Sequence, residues 1–131
     1  MSTGFKIFLF LHVLSFIVAF APAVLTVLPG GRDGYLGLLE RAGRQVYAPA
    51  LLLTGLFGIM CIVTSDEVYE FSDTFISLAF VVWIVMNGVF HGLVLAGQRQ
   101  GDQRKVGNGQ AVLTVLLLVM LYLMIWKPGW P

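Results

Sequence analysis

Charge is scarce in this chain, and carboxylates are missing from its apolar interior. Only 11% of the 131 residues are Asp, Glu, Lys or Arg, and no Asp or Glu falls within any of the four long apolar runs. That removes an intramembrane proton carrier of the carboxylate type. A single cysteine, Cys61, excludes an intrachain disulfide framework and a cysteine-rich metal site. No Lys/Arg run is long enough to mark a nucleic-acid surface. A phosphate-binding glycine loop, a zinc-protease motif and a serine-hydrolase elbow are all missing, so no catalytic constellation is readable. Internal repeats, low-complexity tracts and composition breaks are absent too, leaving one domain over 1–131.

What remains is hydrophobic. Residues 5–28, 46–64, 74–96 and 111–126 form four apolar stretches, each near the ~20 residues that cross a ~30 Å hydrocarbon core. Lys6, the apolar run and Ala19-Phe20-Ala21-Pro22-Ala23 have the outline of a signal peptide. The run continues through Val24-Leu25-Thr26-Val27-Leu28, however, and a retained membrane helix is expected. The loops divide the charge unevenly. Arg32, Arg41, Arg44, Arg99, Arg104 and Lys105 lie in the first and third loops. The second loop holds Asp66, Glu67, Glu70 and Asp73 with no basic residue, and only Lys6 and Lys127 share its side. Because basic residues in short loops stay cytoplasmic, both termini and the acidic loop are expected outside a bacterial inner membrane.

Local signals refine the spans. Pro29-Gly30-Gly31 ends the first, and Asp33 reads as the N-cap of a short interfacial helix over 34–45. Its Tyr35, Leu36, Leu38 and Leu39 would face the inner interface, with Arg41 and Arg44 at headgroup level. Pro22 and Pro49 each remove a backbone donor and predict bends. Residues 97–109 read as a polar hairpin loop. The segment Lys127-Pro128-Gly129-Trp130-Pro131 stops the last span, and Trp126 and Trp130 suit the outer interface. The fold class expected is an all-α, antiparallel four-helix transmembrane bundle with a short interfacial helix before the second span.

Helical phase groups the polar residues. His12, Ser15, Ala19, Ala23 and Thr26 share one face of the first span, and Tyr47, Thr54, Gly58, Cys61 and Ser65 one face of the second. The third offers Ser77, Asn87, Gly88 and His91, with Gly88 and Gly92 in small-xxx-small spacing. These stripes are expected to face one another through close packing and hydrogen bonds. Gln110, Thr114 and Tyr122 are the only polar points of the fourth. Ser15, Thr54, Asn87 and Thr114 together make the expected structural stripe.

The two histidines, His12 and His91, are the candidate cofactor ligands, for haem b or a quinone. His12 lies six residues past Lys6 and His91 eighteen past Asp73 on spans running the same way, so their depths differ by roughly 18 Å. One iron cannot bridge that separation. His12, Cys61 and Met60, with Tyr122 and Met124, fall within about two turns of the outer surface. Imidazole, thiol and thioether are soft ligands suited to Cu(I). Against this stand the ordinary roles: Met and Cys fill space, Tyr122 anchors at the interface and His12 bonds a neighbour. In the inner third, Asn87 and His91 are four apart, with Thr114 and Thr26 nearby, as structural glue or as a proton or quinone site.

Four segments are then familiar together: Leu11-His12-Val13-Leu14, Val46-Tyr47-Ala48-Pro49-Ala50-Leu51-Leu52-Leu53-Thr54-Gly55, Phe71-Ser72-Asp73-Thr74-Phe75 and Leu121-Tyr122-Leu123-Met124-Ile125-Trp126-Lys127-Pro128-Gly129. In these the chain resembles the predicted bacterial integral membrane proteins grouped as domain of unknown function 2269. The resemblance implies an inner-membrane protein of about four helices and no established activity. A looser similarity is to copper-resistance D-type and HemJ-type membrane proteins, whose first helix also carries lysine and then leucine-histidine. Where those continue to tryptophan-glycine, this chain has Phe20-Ala21-Pro22-Ala23, so only His12 matches and neither activity carries over. The expected function is a non-enzymatic packing or accessory component of a membrane complex, with lipid, another membrane protein or a second copy as partner. The alternative is a redox or metal-handling protein using His12 or His91.

Overall fold

A computed structural model describes residues 2–129. The expected interfacial position of Trp130 lies outside the described residues. Among the described residues four helices are long and apolar enough to cross a membrane: Thr3–Val27, Gly31–Val63, Thr74–Gln100 and Gln103–Trp126.

The first begins where Ser2 caps α1 (Thr3–Val24), its hydroxyl accepting from the Phe5 N–H at 3.2 Å. Pro22, lacking an N–H, sits in its last turn, and the chain tightens into a 3₁₀ turn over Leu25–Val27. Gly30 then turns through the left-handed region at φ 71°. A Cβ on Gly31 would fall on the Leu25 carbonyl, so the chain reverses here only with glycine.

Helix α2 (Gly31–Ala42) is the expected interfacial helix, with two corrections. Gly30, not Asp33, is its N-cap; Asp33 lies inside the first turn, where a carboxylate favours the helix dipole. Nor does α2 stand apart from the second span. A π-helical stretch, Gly43–Tyr47, joins it to α3 (Ala48–Val63) without a break. That wider turn precedes Pro49, whose ring would otherwise meet the carbonyl four residues back, so the proline is accommodated. The joined helix has 33 residues, about 50 Å, which exceeds a ~30 Å core and leaves α2 at one end.

After the acidic loop, α4 (Thr74–Val89) widens into a π-helical stretch, Phe90–Leu95, and continues as α5 (Ala96–Gln100). The expected loop over 97–109 is mostly helix instead. Gly101, at φ 68°, ends α5, and the Asp102 carboxylate accepts from the Lys105 N–H at 3.1 Å. That cap starts α6 (Gln103–Trp126) eight residues earlier than hydropathy alone predicts.

Helix α1 packs along α3, and α4 with its π-helical continuation packs along α6. The principal core sits where α2 docks: Phe20, Tyr35, Leu39, Leu51, Met86, Phe90, Val94, Leu95, Val106 and Leu113. Tyr35 and Leu39 are thus buried against protein, correcting their expected membrane-interface placement. Large apolar side chains also cover the outside, among them Phe10, Ile17, Val81, Ile84, Val115, Leu118 and Ile125. Helices apolar on every side suit a lipid surround. At one end Ser2 Oγ donates to the Thr64 carbonyl (3.3 Å) and Lys127 Nζ to Tyr69 Oη (2.9 Å). At the other, the Arg32 guanidinium donates to the Gln103 carbonyl at 3.4 Å.

Candidate functional site: a polar seam on the second long helix

Helix α3 is where the polar chemistry of the spans collects. His12 Nδ1 lies 2.6 Å from the Thr54 carbonyl oxygen. Since a carbonyl only accepts, Nδ1 carries the proton and Nε2 is the free acceptor. The Thr54 hydroxyl donates to the Ala50 carbonyl at 2.9 Å and is buried. Gly58 makes room for the imidazole: an ideal Cβ there would be 3.1 Å from His12 Cε1. The expected pairing of the first two stripes is present in this His12–Thr54–Gly58 junction.

One turn along, a second side chain reaches the same helix. Trp83 Nε1 donates to the Leu51 carbonyl at 2.9 Å, and the indole lies on Gly55 so closely that a Cβ there would enter the ring. Trp83 and Gly55 were not among the sequence-derived candidates. The available signal was a tryptophan nine residues into a span, away from the interfacial belt, whose N–H must find a partner. Asn87 Nδ2 donates back to the Trp83 carbonyl at 2.9 Å. Helix α3 therefore receives α1 through His12 and α4 through Trp83.

Other predicted groupings do not assemble. Thr114 is exposed and bonds within its own helix, donating to the Gln110 carbonyl (2.9 Å) and accepting from Gln110 Nε2 (3.3 Å). Thr26, also exposed, bonds the Ala23 carbonyl at 2.7 Å. Asn87 is half-buried, whereas His91 is exposed, and a Cβ at Gly88 or Gly92 would meet nothing within 4 Å. This corrects the expectation that Gly88, His91 and Gly92 face inward. The buried face of α4 is bulky and apolar: Phe75, Ile76, Ala79 and Met86, continued by Phe90. His12 and His91 thus stand on different surfaces as well as different helices.

Of the residues expected around His12, Cys61 is buried and Ser15, Met60 and Met124 are half-buried. Tyr122 turns outward and stacks on Trp126 (centroids 5.5 Å apart), so it leaves the expected outer cluster. Among the described residues no group of three or more His, Cys, Asp or Glu side chains is placed to hold a metal ion.

A small, partly open space of about 20 Å³ lies where α2 meets the bundle, lined by Phe20, Pro22, Tyr35, Tyr47, Phe90 and Gln110 among others. It has room for about one water molecule and none for an organic substrate. Tyr35 Oη borders it as the one buried side-chain polar atom, among the described residues, with no hydrogen-bond partner. A wider cleft of about 340 Å³ opens between α2 and the α5–α6 turn, lined by Asp33, Glu40, Gln98 and Gln103.

No protein-family model matches the chain, and neither a curated protein nor a solved structure is similar to it.

Proposed function

We propose that the chain is a multi-pass protein of a bacterial inner membrane that serves as a non-enzymatic packing or accessory component of a membrane complex. The observation that carries this reading is how the polar side chains within the spans are used. His12 and Trp83 bond backbone carbonyls of α3 and so tie α1 and α4 to it, while Thr54 and Asn87 spend their donors on carbonyls one turn back in their own helices. Polar groups spent on helix ties are structural glue in lipid.

The arrangement is antiparallel, with both termini and the acidic loop outside. Supporting this, Ser2 meets Thr64 and Lys127 meets Tyr69 at one end, while Arg32 meets Gln103 at the other. The six basic loop residues then gather at the cytoplasmic end. The bacterial placement rests on the resemblance to domain of unknown function 2269.

A second reading has one observation in its favour. His12 donates Nδ1–H to a carbonyl and keeps Nε2 free, which is how metal-ligating histidines are oriented. A redox or metal-handling role at haem b or copper would start from that nitrogen, with Cys61 and Met60 on the facing helix. Purification from native membranes in mild detergent, with an absorption spectrum and metal analysis, separates the two. The expected result is a colourless, metal-free protein that copurifies with a membrane partner. Stoichiometric haem or copper lost on His12→Ala would overturn it in favour of the second reading.

A further inference from the structure

Tyr35 is where the packing leaves a polar atom unserved. The residue is 3% exposed, in the core where α2 docks, and no protein group among the described residues bonds its hydroxyl. Burying a hydroxyl without a partner costs more than an ordinary hydrogen bond gains. The space of about 20 Å³ beside it holds one water and nothing larger. A molecule in so small a space touches every wall, and two other walls offer acceptors. Gln110, on α6, gives Nε2 to Thr114 Oγ1 at 3.3 Å, and its Oε1 accepts from no group among the described residues. Pro22, on α1, has no N–H for the Val18 carbonyl one turn back. That oxygen, directed along the helix at the proline ring, lacks its usual donor.

We propose that this space is a hydration site, where one water molecule accepts from the Tyr35 hydroxyl and donates to Gln110 Oε1 and the Val18 carbonyl. The donors and acceptors match: the phenol supplies one proton, and water supplies the two that the oxygens need. Three partners are also the usual number for a buried water, whereas cavities that stay dry are apolar throughout. The three groups belong to three helices, α2, α6 and α1. The water therefore closes the joint by which α2 meets the bundle. Arg32 ties α2 to the Gln103 carbonyl at the exposed end of that joint, and the water ties it in the core. A tyrosine at 35 is explained by this bond, since phenylalanine would fill the same volume. The site does not depend on the accessory role, which copurification tests separately.

The test is magnetisation transfer from water in solid-state NMR of the full chain in lipid bilayers, with labelled tyrosine rings and methionine methyls. The Tyr35 signal is identified by its loss in Tyr35→Phe, which keeps the fold because the water leaves with the hydroxyl it served. Transfer should reach Tyr35 and be several-fold weaker at Met86, which is 1% exposed. Gln110→Leu removes one acceptor and should cut the Tyr35 transfer several-fold. Tyr35 transfer no stronger than that to Met86 overturns the site, and transfer that Gln110→Leu leaves unchanged overturns the bridge. A second measurement fills the space. Ala19, in its wall, becomes larger in Ala19→Val, which should expel the water and lower the melting temperature of the parent more than that of Tyr35→Phe. Equal shifts in the two backgrounds, or a rise in the parent as expected for filling a dry void, overturn the bound water.

Discussion

Replacing Gly55 by alanine should destabilise the protein, although alanine is the better helix former. In an ideal helix the exchange gains about 1 kcal/mol. Here the added methyl would enter the Trp83 indole ring, so the ring must move. Overpacking of that kind costs about 1–3 kcal/mol. Moving the ring also breaks the Trp83 Nε1–Leu51 hydrogen bond of 2.9 Å, worth about 1 kcal/mol in a membrane protein. The net expectation is a loss of about 2 kcal/mol. Equilibrium unfolding in mixed micelles of mild detergent and dodecyl sulfate would measure it. A cycle with Trp83→Phe sharpens the assignment, since the smaller ring has no N–H to lose and yields to the methyl. Trp83→Phe alone should cost about 1–2 kcal/mol, and the double variant should fall short of the sum by about 1 kcal/mol or more. Additive effects, or a Gly55→Ala protein as stable as the parent, would mean that Trp83 does not lie on Gly55 and that α4 meets α3 some other way.

The remaining perturbations follow the same geometry. His12→Ala should cost about 1 kcal/mol through the bond to the Thr54 carbonyl, whereas the exposed His91 should be replaceable by alanine without loss of stability; equal losses in detergent would contradict the bonding of His12 and the exposure of His91. Gly31→Ala should be the more damaging of two glycine changes, because its Cβ meets the Leu25 backbone while Gly88→Ala meets open space; melting temperatures of the purified variants rank them, and a reversed order would refute the turn geometry. Tyr35→Phe should hold or raise stability, since its buried hydroxyl bonds no protein group; a loss above about 1 kcal/mol would show that the hydroxyl is bonded.

The number and approximate positions of the long helices were legible because length and apolarity are what crossing a bilayer demands. Their ends were not. Gly101 and Asp102 read as loop punctuation, yet together they end one helix and cap the next within two residues. Which face turns inward was harder still. In a helix that faces water, polar residues mark the outside, but here the exposed and the buried faces are both apolar and that contrast is missing. Ser77, Gly88 and His91 therefore looked like an inward stripe, while Phe75, Met86 and Phe90 are what the bundle buries. The facing of the first two spans was readable because His12 lies on one polar stripe and Thr54 on the other, beside Gly58, which admits the ring. The Trp83–Leu51 bond was not, because its acceptor is a backbone carbonyl of an apolar residue that no side-chain pattern marks.

Orientation offers the most decisive prediction. The charge split alone sets six basic residues against two, and each short-loop Lys or Arg resists export. The structure adds that the two basic segments lie at one end, since the Arg32 guanidinium reaches the Gln103 carbonyl across the bundle at 3.4 Å. They would therefore enter or leave the cytoplasm as a unit. The acidic loop is likewise held beside the C-terminal end of α6 by the bond between Lys127 and Tyr69. No intermediate topology satisfies both ties without unpacking the helices. In a Cys61→Ala background, Gln103→Cys should resist an impermeant thiol reagent in intact cells and react once the membrane is opened. Glu67→Cys, on the exposed acidic loop, should react in intact cells. The reverse pattern would invert the whole molecule. Labelling at both positions from outside would show that the two ends do not lie on opposite sides of one bilayer, and the four-span arrangement would fall with it.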